Sequence, residues 1–271
     1  MRSDLKDYHV HPDYSMDAKG SIDEYCQRAL EIGIKEICFT PHYDTDPVRK
    51  SLDAFMRVNG KLVALTDDVV RRYIDEVHRA GQRYASSGLS VKAGLEVDYA
   101  PHIEEELREK LGRFGLDYCL GAVHCLEHIA ITSTHESEKY FKGKNAKEVC
   151  QEYFGALSNA VSSGIFKTMA HLDAYKIYGT KFCGKEILLA HRGLVEPILK
   201  LMGENGMGIE INTGPLRKGQ KEVSPGIELL SLAKRFNVKV NAIGSDAHRI
   251  EDLGRDLDLA RDLVQDIFGA V

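Results

Sequence analysis

Seven segments with strand-like sequence alternate with amphipathic helical segments along this chain of 271 residues. The strand-like segments are short and rich in β-branched and aromatic residues, whereas the segments between them repeat apolar residues every three or four positions. They cover residues 5–11, 35–40, 91–97, 116–123, 166–170, 207–211 and 238–243. Regular alternation of strands and helices predicts a parallel sheet. Seven such units predict a closed or nearly closed α/β barrel forming a single domain over residues 1–271, with a doubly wound sheet as the alternative.

Six of the seven predicted strands carry a histidine or an acidic residue at or beside the C-terminal end. The first strand contains two histidines separated by one residue, which project to the same side because side chains alternate along a strand. The C-terminal ends of barrel strands form one face, where active sites of such barrels are built. The candidate ligands on this face are His9, His11, Asp17, His42, Glu96, His124, His171, Asp246 and His248.

These ligands comprise six imidazoles and three carboxylates. One ion of the zinc type takes four or five ligands, so the set suffices for two or three divalent ions. The six cysteines contain no C-x-x-C pair and are predicted to be buried free thiols. Nitrogen and oxygen ligands without thiolate favour Zn, Mn or Fe over Ca or Mg.

Composition excludes several classes of protein. The formal net charge is −5, which argues against a nucleic-acid surface rich in Lys and Arg. No window offers the roughly 20 apolar residues of a membrane span, and the polar N-terminal residues 1–4 are not followed by a signal-peptide core. We therefore predict a cytoplasmic protein without nucleic-acid or membrane partners, and the oligomeric state stays open.

The order of these motifs resembles the PHP (polymerase and histidinol phosphatase) superfamily. The matching segments run from the first predicted strand to the seventh and are His9-Val10-His11, Asp17, Thr40-Pro41-His42, Gly94-Leu95-Glu96, Gly121-Ala122-Val123-His124, Ala170-His171-Leu172-Asp173 and Gly244-Ser245-Asp246-Ala247-His248. The resemblance implies a distorted (β/α)7 barrel with a trinuclear metal centre. The opening Asp-Tyr-His-Val-His, Asp17 and Gly-Leu-Glu-Val-Asp-Tyr are most similar to the histidinol-phosphate phosphatase branch, which implies L-histidinol phosphate as the substrate and a role in histidine biosynthesis.

The resemblance also implies an assignment of ligands to ions. One ion would take His9, His11, Glu96 and Asp246. A second would share Glu96 and take His124 and His171. The third would take Asp17, His42 and His248.

Phosphoester hydrolysis suits such a centre on chemical grounds, because paired ions activate water and neutralise charge on the phosphate together. Our hypothesis is that a hydroxide bridging two ions attacks phosphorus in line, with Asp246 or His248 assisting proton transfer. Three alternatives stay open: a PHP phosphoesterase acting on nucleotides or other small phosphate esters, a non-catalytic PHP module, and a metallo-amidohydrolase.

A phosphate dianion also needs cationic side chains from the protein. Arg217, in the loop after the sixth strand, is the first candidate for phosphate binding because guanidinium matches phosphate bidentately. Lys176, after the fifth strand, is the second. The polar insertion 43–65 is interpreted as a lid or a disordered tether, and Asp44 and Asp98 as residues that orient imidazoles or contact a cationic substrate. The other histidines are predicted to have no role in the site: His78, His102, His128, His135 and His191.

Overall fold

The computed structural model describes residues 5–269, so the polar N-terminal residues 1–4 of the sequence analysis lie outside it. Seven parallel strands form the barrel, and we number them in chain order. They are β1 (Leu5–Val10), β2 (Ile34–Phe39), β3 (Ser90–Asp98), β4 (Tyr118–Ala122), β5 (Thr168–Met169), β6 (Gly208–Asn212) and β7 (Val240–Gly244). Strands that are consecutive in the sequence are adjacent in the sheet, in the order β1-β2-β3-β4-β5-β6-β7. All seven predicted strands are confirmed, with ends displaced by at most two residues.

The barrel closes only at the C-terminal end of its first strand. Backbone hydrogen bonds join His11 N to Ala247 O at 2.9 Å and Asp246 N to His9 O at 2.8 Å. These contacts include the parallel bridge between Val10 and Ala247, while β1 and β7 themselves are not paired. The result is the nearly closed, distorted barrel of the prediction rather than a doubly wound sheet. Closure at this end brings the ligand-bearing loops after β1 and β7 together.

Helices cover the outside of the barrel. The first begins at an N-cap, Ser21, whose side chain and that of Glu24 form a capping box, and it ends at Gly33 with φ 83°. Its buried face packs Ile22 and Tyr25 against the strands. The α-helices span Ile22–Ile32, Asp67–Tyr84, Glu104–Phe114, Ser137–Phe141, Ala146–Ser163, Lys176–Cys183, Glu196–Glu204, Gly214–Arg217, Ile227–Arg235 and Leu257–Phe268. Short 3-10 helices span Ala85–Ser87, Pro101–Ile103, Gly184–Leu188 and Ile250–Asp252.

Two small hairpins and one short strand lie at the C-terminal end of the barrel. The hairpins pair Phe55–Val58 with Lys61–Ala64 and Cys125–Leu126 with Ile129–Ala130. The short strand, His42–Tyr43, pairs with β3 so that His42 lies opposite Glu96. Across residues 5–269, none of the helices combines the length and the apolar character that crossing a membrane requires. The prediction of a single domain over residues 1–271 stays a prediction.

Candidate metal centre

Strand β1 places two imidazoles inside the mouth of the barrel. His9 and His11 are fully buried, and Val10 between them packs into the apolar core. The alternation predicted from the sequence therefore holds, although His11 lies one residue beyond the strand. The Nε2 atoms of His9 and His11 are 3.0 Å apart. Because these two nitrogens are so close and both face the mouth of the barrel, they can bind the same ion.

Glu96, near the end of β3, lies at the centre of the cluster and is almost completely buried. Its Oε1 is 2.8 Å from His171 Nε2 and 3.1 Å from His124 Nε2. Its Oε2 is 3.3 Å from His9 Nε2 and 3.5 Å from His11 Nε2. Oε2 also lies 3.0 Å from His42 Nδ1, so the two oxygens of one carboxylate face different histidines. This is the arrangement expected of a carboxylate that bridges two metal ions.

Asp17, His42 and His248 form a third group at the outer edge of the mouth. Asp17 Oδ2 lies 3.7 Å from His42 Nε2 and 3.4 Å from His248 Nε2. The ring of His248 stacks on that of His11 with centroids 4.1 Å apart. Ligand atoms of His11, His42 and His248 all lie within 4.8 Å of one another.

Asp246 follows β7 and connects the first and third groups. Its Oδ1 is 3.4 Å from both His11 Nε2 and His248 Nδ1, and 3.7 Å from His9 Nε2. The residue has φ 55°, a left-handed conformation that aspartate tolerates better than most residues. Its backbone N–H donates to the carbonyl of His9, which fixes the turn relative to β1. All nine predicted ligands therefore come together, and their assignment to individual ions stays a prediction.

The donor set fits divalent ions. His9, His11 and Glu96 offer ligand atoms within 4.8 Å of one another, and so do Glu96, His124 and His171. The Nε2 atoms of His124 and His171 are 3.2 Å apart, as close as those of His9 and His11. Two neutral imidazole nitrogens at that distance have at most one hydrogen to share, whereas a cation between them would use both lone pairs. Among the described residues the set contains nitrogen and oxygen but no thiolate, which suits Zn, Mn or Fe.

The electrostatic environment prepares these groups for a cation. Burial acts to raise the pKa of Glu96, but His9 and His124 outweigh it and hold that pKa well below the ordinary value. Burial and the neighbouring His248 and His42 lower the pKa of His11 well below 6.5. Glu96 is therefore ionised and His11 neutral, which are the forms that bind metal.

Glu210 on β6 supports the cluster from below. It is fully buried, and its Oε1 accepts a hydrogen bond from His9 Nδ1 at 2.6 Å. Its Oε2 accepts from the backbone N–H of His171 at 3.3 Å. A side chain at Gly244 would overlap both His9 and Glu210, which explains the glycine at this point of β7. Sequence reasoning missed Glu210, although an acidic residue two positions before Asn212 in an apolar strand faces the same side.

Two further polar residues that were not assigned a role position the loops. Asp7 is buried and accepts from the backbone N–H groups of Ser245 at 2.9 Å and Gly254 at 3.1 Å. It therefore joins β1 to the loop after β7 where strand pairing is absent. Ser15 lies 3.1 Å from His11 Nδ1 through its Oγ, which also accepts from the backbone N–H of His42. The sequence alone does not indicate these roles, because Asp7 and Ser15 contact residues that are distant along the chain.

The two predicted phosphate-binding cations are already engaged by the protein. Arg217 Nη2 donates to the carbonyls of Ser245 at 2.5 Å and Asp246 at 3.0 Å, and Nε lies 3.5 Å from Asp252. Its Nη1 is buried with no partner in the described part of the chain. Lys176 Nζ donates to Asp173 at 2.8 Å. Arg217 thus lies directly behind Asp246, and the phosphate-binding role of both cations stays a prediction.

Asp44 and Asp98 lie beside His42 and His124. Asp98 Oδ1 accepts from the backbone N–H of His124 at 2.6 Å and lies 3.8 Å from its Nδ1, and its role in orienting the imidazole stays a prediction. Asp44 shares a group of ligand atoms with His42 and His124. Burial raises the pKa of each carboxyl to about 7. Contact of either residue with a cationic substrate stays a prediction.

The insertion 43–65 is folded, so its interpretation as a disordered tether is wrong. Arg57 in its hairpin donates to the carbonyls of Asp13, Ser15, Met16 and Ala18, which shapes the loop that carries Asp17. Arg49 is buried and forms a bidentate pair with Glu136 at 2.8 Å. The local sequence did not indicate that this insertion is folded, because the residues that Arg49 and Arg57 contact lie far away along the chain. Movement of this segment as a lid stays a prediction.

A parallel barrel with several groups of divalent-metal ligands in its C-terminal mouth defines a multinuclear metal-binding barrel protein, an architecture suited to hydrolysis. The chain belongs to the PHP domain family, whose model matches residues 7–214. The family resemblance inferred from the motifs is thereby confirmed.

Relatives of similar length carry a shared description. A protein described as a probable histidinol-phosphatase from Deinococcus radiodurans is 29% identical over 250 residues, covering 92% of this chain and 88% of that one. A histidinol-phosphatase from Bacillus subtilis is 27% identical over 277 residues, covering 92% and 95%.

Solved structures show the same fold. The histidinol phosphate phosphatase of Lactococcus lactis, solved with zinc, L-histidinol and phosphate, superimposes with a TM-score of 0.76 at 20% identity, covering 97% of this chain and 93% of that one. A protein from Listeria monocytogenes described as a putative histidinol phosphatase gives a TM-score of 0.77 at 20% identity, covering 94% of this chain and 99% of that one. These similarities confirm the distorted barrel.

Proposed function

We propose that this protein is a metal-dependent phosphomonoesterase that hydrolyses L-histidinol phosphate to L-histidinol and phosphate. The observation that carries the chemistry is Glu96, whose two carboxylate oxygens face two different histidine pairs in the mouth of the barrel. The observation that supports the substrate is the shared description of relatives matching more than nine-tenths of the chain. Histidine biosynthesis is the corresponding pathway.

The proposed cofactor is a set of two or three divalent ions of Zn, Mn or Fe. When bound, such ions supply Lewis acidity to the phosphoryl group and activate water near neutral pH. His9, His11, Glu96 and Asp246 would hold one ion, and His124 and His171 would share Glu96 around another. Asp17, His42 and His248 would complete the third site.

Residues of the chain would position the substrate and move protons. Asp246 and His248 lie 3.4 Å apart at the mouth, so either carboxylate or imidazole is placed to exchange a proton with a reacting oxygen. Arg217 Nη1, which has no hydrogen-bond partner within residues 5–269, would donate to a phosphate oxygen. Lys176 is the second candidate for phosphate binding. His9, His11 and Glu96 are buried from solvent, which strengthens the electrostatic interactions among them.

The proposal extends to partners and location. A small phosphorylated metabolite is the expected partner, and the formal net charge of −5 argues against nucleic acid. All six cysteines are free thiols, which fits the reducing cytoplasm. We propose a cytoplasmic protein whose oligomeric state is open.

The decisive experiment measures phosphate release from L-histidinol phosphate beside a panel of nucleotides and an aryl phosphate. The enzyme would be assayed as purified, after metal analysis, and again with Zn, Mn or Fe(II) supplied. We expect L-histidinol phosphate to be preferred by at least a hundredfold in kcat/KM. The Glu96→Gln variant serves as the control, because residual turnover in that variant measures contaminating phosphatase.

Other results would redirect the proposal. Similar kcat/KM values for all substrates of the panel, or a preference for nucleotides, would support a phosphoesterase but contradict L-histidinol phosphate as its substrate. Turnover of an amide alone would identify a metallo-amidohydrolase. Absence of any turnover by fully metallated protein would leave a non-catalytic PHP module.

A further inference from the structure

Three metal-ligating side chains meet on the rim of the barrel, outside the nine residues of the candidate centre. Asp46 Oδ1 lies 3.0 Å from His102 Nε2, and Asp46 Oδ2 lies 2.5 Å from His128 Nδ1. The rings of His102 and His128 are 5.3 Å apart. One ligand atom from each of the three residues lies within 4.8 Å of the other two. We call these three residues the rim triad.

The rim triad is assembled from three segments that follow three different strands. Asp46 comes four residues after His42, His102 lies in the 3-10 helix after β3, and His128 lies in the hairpin after β4. The two imidazoles are 43% and 42% exposed, whereas the Asp46 carboxylate is only 9% exposed. An ion would therefore reach the site from solvent and meet a carboxylate fixed within the protein.

Neighbouring residues hold the rim triad in place. Asp46 Oδ1 also accepts from the backbone N–H of Val48 at 3.0 Å, which sets the direction of its carboxylate. His128 has φ 59° in the hairpin turn, and its carbonyl accepts from Arg49 Nη1 at 2.8 Å. Arg49 is 3% exposed and is itself fixed by Glu136 and Asp53. The ligand positions are thus built into the fold before any ion binds.

We propose that the rim triad is a separate binding site for one divalent transition-metal ion. Two imidazoles and one carboxylate are the ligands that zinc, iron and manganese use in proteins, and the ligand atoms are close enough for one ion to contact all three. Without a metal ion, hydrogen bonds hold the triad together, because the Asp46 carboxylate accepts from both imidazoles. An ion would replace these hydrogen bonds with coordination bonds.

The bound ion would connect the insertion 43–65 to the walls of the mouth. Its ligands come from that insertion, from the segment after β3 and from the hairpin after β4, and Arg49 already joins the first and the third through its hydrogen bond to the carbonyl of His128. Occupancy of the rim triad would therefore stiffen the entrance to the candidate centre. The inference concerns binding alone and does not depend on the proposed phosphatase activity.

The test compares zinc binding by wild type and by a variant that lacks both rim imidazoles, His102→Gln with His128→Gln. Each protein is loaded with Zn²⁺, freed of excess by gel filtration, analysed for retained metal and titrated with Zn²⁺ in a calorimeter, and the retained and titrated equivalents are added. We expect wild type to bind one more equivalent than the variant, and the affinity for that equivalent to fall by more than about 100-fold in the variant. Metal analysis must show that the nine-ligand centre holds the same amount of metal in wild type and in the variant.

His78→Gln is the matched control, because His78 is another exposed imidazole beside a carboxylate, 3.8 Å from Asp117 and 47% exposed. It should bind zinc as wild type does. Asp46→Asn retains an acceptor for Val48 N–H but removes the charge, and should weaken the additional equivalent at least tenfold. Equal zinc binding by wild type and the double variant would overturn the proposal whatever the phosphatase assay shows.

Hydrogen exchange provides a second readout. Zinc should slow amide exchange in residues 44–65 and 125–130 of wild type and leave the double variant unchanged. Identical exchange with and without zinc in wild type would refute the stiffening of the entrance.

Discussion

His9 and Glu210 form a buried pair in which Nδ1 of the imidazole lies 2.6 Å from a carboxylate oxygen. A carboxylate only accepts, so Nδ1 carries a hydrogen and Nε2 is the ring nitrogen directed toward His11 and Glu96. The same carboxylate accepts from the backbone of His171, whose ring belongs to the other histidine pair. One buried residue on β6 therefore orients ligands proposed for two different ions.

Glu210→Gln tests this orientation. We expect metal affinity and kcat to fall by about 10–100-fold, because an amide can no longer impose the tautomer of His9. Metal content measured by mass spectrometry after dialysis, together with kcat at saturating metal, would check it. Glu204→Gln on an exposed helix end is the control. Unchanged affinity would mean that β1 alone orients His9.

Glu96→Gln tests the bridge between two histidine pairs. Loss of the shared carboxylate should reduce bound metal by more than one ion per chain and lower kcat by more than about 1,000-fold, because both proposed ions lose a charged ligand. Metal analysis and circular dichroism of the same sample would separate metal loss from unfolding. Full metal content in a folded variant would show that Glu96 is not a metal ligand.

Arg217→Lys and Arg217→Ala test the proposed phosphate contact. We expect both to lower kcat/KM by about 10–100-fold, the effect of removing a hydrogen bond to a charged group, and to weaken inhibition by inorganic phosphate. Lysine should restore little, because its single nitrogen cannot replace both Nη2, which donates to the carbonyls of Ser245 and Asp246, and Nη1, which would donate to phosphate. Metal content should stay at the wild-type level. Loss of metal in parallel would assign Arg217 to holding the loop of Asp246.

His191 makes stability depend on pH. It is fully buried, and burial together with Lys176 lowers the pKa of its imidazole below the ordinary 6.5. The unfolded chain therefore takes up a proton at higher pH than the folded protein, so the contribution to stability is lost as pH falls below about 6.5. We expect this group to lower the free energy of unfolding by up to about 1.4 kcal/mol per pH unit there.

The measurement is urea unfolding of chelator-treated wild type and His191→Gln between pH 7.5 and 5.0. The other histidines titrate in both proteins, so the difference between the two curves isolates His191. Wild type should lose stability faster than the variant as the pH falls. Parallel curves would show that His191 keeps its ordinary pKa.

Much of the barrel could be predicted because its signals are local. The spacing of apolar residues along the sequence identified the strands and the helices between them. Ligands such as His124 and His171 were recognisable because parallel strands place their C-terminal ends on one face. The order in which these motifs follow one another identified the family.

What the sequence determined by itself is therefore which residues stand at the mouth of the barrel, since that depends only on position along each strand. The tertiary structure alone decided which atoms meet there: Glu210 beneath His9, the two oxygens of Glu96 between two histidine pairs, and Asp46 between His102 and His128. The physical reason is that these contacts join residues 28 to 201 positions apart. Their distances depend on strand register and on closure of the barrel at Val10 and Ala247, which no local pattern encodes.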